Sequence, residues 1–145
     1  VMTTHRTDTE EKLLSAILNV IIPPSEKMPG AGSPAILEEC QRMADGHERF
    51  GEAVSVILLA LGDEFPEAST VQQTEALREL EITRPDQFEL FVEVAYLAYY
   101  SDSDVHRHIG WRTGALQPLG WELPPFREDV LDTVKQREPF WRDAD

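Results

Sequence analysis

Cysteine is almost absent from this chain, with Cys40 the only one in 145 residues. That excludes an internal disulfide and a Cys-x-x-Cys-His attachment for covalent haem. Basic residues are also scarce, 13 Lys and Arg against 27 Asp and Glu, giving a formal net charge of −14. Nucleic acid and anionic membrane surfaces both need a basic footprint, so neither is an expected partner. A neutral or basic protein fits the acidic balance better. Hydrophobic residues make up 41% of the chain. Even so, no apolar run approaches the roughly 20 residues of a membrane span.

Signatures of chemistry are missing as well. There is no Gly-x-Ser-x-Gly, and no cysteine with a neighbouring histidine in sequence. There is neither a Gly-x-Gly-x-x-Gly fingerprint nor a phosphate loop. Gly30-Ala31-Gly32 follows the double proline Pro23-Pro24 rather than a strand. Cys40 falls among Ile36, Leu37 and Met43, which predicts a small buried side chain, not a reactive thiol. The opening residues, Val1 to Arg6, hold no apolar signal core and no twin-arginine pair. As it stands the chain reads as cytoplasmic, and as periplasmic only if a signal was removed or a partner carries one.

What is present is helical periodicity. Thr7-Asp8-Thr9 supplies cap candidates for a first helix whose stripe is Leu13, Leu14, Ile17, Leu18 and Ile21, stopped by Pro23-Pro24. Ser33-Pro34 reads as N-cap and first position of a second helix. A third spans about 47 to 61, with Gly62 as its stop. A capping-box pattern at Ser69-Thr70, with Gln72 and Gln73 beyond, opens a fourth. Thr83-Arg84-Pro85-Asp86 starts a fifth. On it Phe88, Phe91, Val92, Ala95, Tyr96 and Tyr99 recur at helical spacing, with Leu90, Val94, Leu97 and Ala98 filling much of the other side. Only Glu89 and Glu93 break the apolar surface, and they are expected to line its solvent edge. A helix so apolar is expected to be buried from several sides and to anchor the bundle.

Strand-like alternation is scarce, so the expected fold is all-α. It is an irregular bundle of about five to six helices in one domain over 1–145. Residues 1–6 are expected to be disordered. Residues 101–145 are expected to form a loop-rich, aromatic C-terminal arm draped over the bundle, a partner or both, with one short helix near Glu128 to Lys135.

The distribution of rings is uneven. All three tyrosines lie on the fifth helix, and all three tryptophans lie at or beyond residue 111. Large amphipathic rings gathered into one helix and the irregular segment after it suit a surface built to be covered. The candidate interface residues are Tyr99, Tyr100, Ile109, Trp111, Arg112, Pro118, Trp121 and Trp141. The alternative is a mini-core in which Trp111, Trp121, Phe126, Phe140 and Trp141 fold back under the loops, and composition leaves both open. His106 and His108, with Asp102 and Asp104 upstream, are a weak metal candidate. Histidines at i and i+2 diverge on a helix, Arg107 stands between them, and the aspartates better suit a cap near Ser103.

Several segments resemble the small-subunit family of gluconate 2-dehydrogenase, often called subunit 3. Leu13 to Pro24, ending Ile21-Ile22-Pro23-Pro24, and then Pro29-Gly30-Ala31-Gly32 look like that family's opening helix and Pro-Gly-Ala loop. Tyr99-Tyr100-Ser101-Asp102, Val105, Ile109-Gly110-Trp111 and Gly114 look like its tyrosine-ended helix and Gly-aromatic turn. Pro118-Leu119-Gly120 and Phe140-Trp141-Arg142 continue the likeness. Ser103 stands where the family commonly has a proline, and the family's frequent twin-arginine signal is missing.

The resemblance implies a non-catalytic accessory subunit. Such a subunit binds and stabilises a large FAD-dependent oxidoreductase of the glucose-methanol-choline type, which holds the FAD and oxidises a sugar or alcohol. This chain would then bind no cofactor itself. The alternatives are a self-contained helical binding or regulatory module, as a homodimer for example, and a small metalloenzyme using His106 and His108.

Overall fold

The computed structural model describes residues 7–112, 114, 119–122, 125 and 127–138. It is all-helical, with no strand among the described residues. The five long helices are α1 (Asp8–Ile21), α2 (Pro34–Gly46), α3 (Glu48–Leu61), α4 (Thr70–Thr83) and α5 (Pro85–Ser101). Two short ones follow, α6 (Ser103–His108) and α7 (Asp129–Lys135). Both short segments form, so the described residues hold seven helices where five to six were expected. The chain divides into two compact units, Val1–Thr113 and Gly114–Asp145, and α7 is the helix of the second. The expectation for residues 1–6 lies outside the described residues.

Local chemistry explains where the helices start and stop. The Thr7 hydroxyl accepts from the Glu10 amide, and the Glu10 carboxylate accepts from the Thr7 amide, which closes a capping box on α1. Ser69 and Gln72 repeat the device on α4. Gln73 has a different job, donating its side-chain amide to the Phe65 carbonyl in the 3-10 turn before that helix. Ser33 holds the cap position of α2 without a side-chain capping bond. Gly62, at φ 70, ends α3 in a backbone conformation that costs glycine little.

The core of the first unit lies where α2, α3 and α5 pack on one another, with α1 and α4 closing it. Leu14, Ile17 and Leu18 of α1, Ile36 and Cys40 of α2, Val54 and Ile57 of α3, and Phe91, Val94 and Ala98 of α5 are almost wholly removed from water. Burial of each large apolar side chain contributes roughly 1.5–3 kcal/mol. Cys40 is buried, as its neighbours predicted.

One expectation about α5 is corrected. Its buried residues are Phe91, Val94, Ala95, Ala98 and Tyr99, all on one side. Tyr96 and Leu97 are each 44% exposed and Tyr100 is 52% exposed, so α5 is not covered all round. At about 100° per residue, Tyr96, Leu97 and Tyr100 continue the stripe of Glu89 and Glu93, opposite the buried set. Both glutamates are exposed, as expected.

Candidate functional site: exposed rings of α5 and Trp111

The open face of α5 carries Tyr96 and Tyr100 one turn apart, their rings stacked at 6.2 Å and 9° between planes. The Tyr99 ring meets that of Tyr100 edge-on, with centroids 5.3 Å apart. Tyr99 itself turns inward. It is only 4% exposed, and its hydroxyl donates to the Pro29 carbonyl at 3.0 Å. Its expected place among interface residues is therefore corrected. Tyr99 supports the surface from beneath and ties the end of α5 to the loop after α1.

That loop is built by close approach. The Ser15 hydroxyl donates to the Gly32 carbonyl at 2.8 Å, and the Gly32 amide donates to the Asn19 side chain at 2.9 Å. Ala31 between the two glycines is fully buried, and its amide donates to the Ile22 carbonyl. The Gly-Ala-Gly run is a packing device against α1. The two segments that carried the family resemblance are thus joined by the Tyr99–Pro29 hydrogen bond.

Burial raises the Tyr99 phenol above its ordinary range, and the nearby Tyr100 and Asp102 add to the effect. A phenol whose folded-state value is raised contributes stability below its unfolded value, about 10, and loses it as pH climbs through the folded one. Alkaline unfolding should accordingly begin above about pH 10. Tyr99→Phe should remove that increment while costing about 1 kcal/mol at neutral pH for the lost hydrogen bond. Urea midpoints measured from pH 8 to 11 check this, and parallel curves for the two proteins would contradict it.

Beyond α5 the chain turns sharply and is capped at both ends of α6. The Asp102 carboxylate accepts from the amides of Asp104 and Val105 at 2.8 and 3.0 Å, which is the cap expected of it. Val105 is fully buried and pins the short helix to the bundle. At the other end the Trp111 amide donates to the His106 carbonyl at 2.8 Å, and the Gly110 amide donates to the Arg107 carbonyl at 3.3 Å. Gly110 sits at φ 71. These bonds and that left-handed residue constitute a Schellman cap. The side-chain contact that often accompanies it is present too, between the His106 and Trp111 rings at 6.4 Å. The Gly-aromatic turn therefore sets where Trp111 stands. Gly110→Ala should cost about 1–2 kcal/mol through the left-handed backbone and should shift the tryptophan emission. An unchanged thermal midpoint and spectrum would count against this role.

The two histidines do not converge. His106 engages the Tyr100 carbonyl through Nε2, and His108 meets the Asp104 carbonyl through Nδ1 at 2.7 Å. Arg107 pairs with Asp104 at 2.5 Å. No group of three His, Cys, Asp or Glu suited to a metal occurs among the described residues.

Of the remaining expected interface residues, Ile109 is 49% and Trp111 58% exposed, and Arg112 is exposed beside them. Trp121, in the second unit, is 76% exposed. Trp111 and Trp121 are thus not buried, and the mini-core alternative also involves Phe126, Phe140 and Trp141. Pro118 and Trp141, with Phe126 and Phe140, lie outside the described residues. Tyr96 and Leu97, whose spacing predicts burial, belong to the open face. The signal that locates them is the position of Glu89 and Glu93, which marks the wet side of the same helix. No described helix is long and apolar enough to cross a membrane.

Comparison with protein-family models, with curated proteins and with solved structures found no match.

Proposed function

We propose that this chain is a non-catalytic accessory subunit. In this reading it binds and stabilises an FAD-dependent sugar or alcohol dehydrogenase of the glucose-methanol-choline type, the partner holding the FAD and performing the oxidation. The observation that carries the proposal is the set of exposed rings in one stretch of chain, Tyr96 and Tyr100 stacked on α5 and Trp111 just past the capped end of α6. Exposed aromatics whose geometry is set in advance lose little conformational entropy on docking, which is what interface anchors need. The resemblance to the gluconate 2-dehydrogenase small subunit falls on the same stretch and supplies the partner's class.

The test is co-expression with such a flavoprotein and measurement of its recovery and activity. The pair should co-purify, and the flavoprotein should lose yield or stability without this chain. Trp111→Ala should weaken the complex by about tenfold, or ~1.4 kcal/mol. Being a surface change, it should alter the chain's own stability by no more than about 0.5 kcal/mol. An isolated chain that oxidised a sugar unaided, or that never bound a flavoprotein, would end the proposal.

A further inference from the structure

The open face of α5 is polarised along its length. Asp86, Glu89 and Glu93 occupy its first half, and Tyr96, Leu97 and Tyr100 its second, all on one exposed stripe. The stripe runs about 21 Å at 1.5 Å per residue. Among the described residues none of these three carboxylates takes part in an ion pair. Glu39 and Asp104, elsewhere in the first unit, each hold an arginine on their own helix. Glu89 and Glu93 are like charges one turn apart, an arrangement that disfavours the helix when no cation stands between them. Below Glu93, between α3 and α5, lies a shallow hollow of about 220 Å³ with Phe50 and Leu90 in its walls. Glu48 and Glu93 line it as acids, with Arg49 as its cation and His47 beside them. A lysine or arginine could lay its hydrocarbon stem along such walls and present its charged head to the glutamates.

We infer that this face of α5 docks a protein surface of matching polarity: apolar where it meets Tyr96, Leu97 and Tyr100, and carrying lysine or arginine where it meets Glu89 and Glu93. The net charge of −14 steers a basic surface towards the chain, and the unpaired glutamates fix its direction along α5. The inference rests on the accessory-subunit reading and adds the chemistry of the partner's contact surface.

The test compares the full chain with two double variants of identical charge change, Glu89→Lys/Glu93→Lys on α5 and Glu79→Lys/Glu81→Lys on the exposed side of α4. Two probes are used: the co-expressed flavoprotein, and a synthetic amphipathic helix with lysines at one end and leucine and phenylalanine at the other. The α5 variant should bind both probes at least tenfold more weakly than the α4 variant, and Tyr96→Ala/Tyr100→Ala should match that loss. Equal weakening by the two charge variants would reduce the effect to overall charge and overturn the inference. So would a stable dimer of this chain broken by Tyr96→Ala/Tyr100→Ala, because a second copy would then cover the face. Unaltered flavoprotein binding by the α5 variant overturns the inference alone and leaves the accessory role standing. Absence of any flavoprotein complex, with the peptide still discriminating, removes the accessory role and keeps the surface.

Discussion

Phe91→Ala is expected to be among the most damaging single substitutions in the first unit. Phe91 has no exposed surface and sits mid-way along α5, the helix against which α2 and α3 pack. Its helix packs on α2, α3 and α4 at once, so no single element can move in to refill the space. Truncation loses the transfer free energy of the ring and leaves a cavity, together about 3–5 kcal/mol. A domain of this size has about 5–15 kcal/mol in total, so the variant should lie near the edge of stability. Urea unfolding should show a much lower midpoint at an unchanged slope. A loss below about 1.5 kcal/mol, the range of a tolerated core change, would mean that α5 is not the centre of the bundle.

Gly32→Ala should also be severe, although it adds a single methyl group to a loop. A Cβ at that position would fall inside the van der Waals envelope of the Ser15 backbone carbonyl and of the Asn19 side chain. The asparagine can rotate, but the carbonyl belongs to α1 and can yield only if the helix moves. The displaced loop would also lose the Ser15 bond to Gly32 and the Gly32 bond to Asn19. Overpacking of this kind costs about 1–3 kcal/mol, and the upper end applies where the added methyl meets backbone. Gly46→Ala is the control, because a Cβ there meets nothing within 4 Å and the residue is helical. It should be neutral or slightly stabilising. Thermal unfolding that ranked the two variants equally would refute the close-approach explanation.

The effect of Gly32 shows where sequence reading runs out. Pro23-Pro24 and Gly30-Ala31-Gly32 announce a turn, and the missing strand before them argues against a nucleotide loop. Nothing in the local sequence says that Ser15 and Asn19, more than ten residues earlier, will receive that loop. Tyr99 and Tyr100 make the same point. Adjacent and chemically identical, they end with one buried on the Pro29 carbonyl and the other half exposed, because successive helical residues point about 100° apart and only one faces the bundle.

By itself the sequence determined the all-α class, the starts of the five long helices, the stops of α1 and α3, and the short helix under Asp102. Caps, prolines and apolar periodicity act within a few residues, so they can be read along the chain. It also marked the segment where rings accumulate. Only the tertiary structure decided which rings stay in water. Burial on α5 depends on where α2, α3 and α4 stop covering it, and that is a property of packing between helices rather than of any one of them. The same packing turned Tyr99 into a support and added Tyr96 and Leu97 to the open face, while a Schellman cap fixes the backbone at the exposed Trp111.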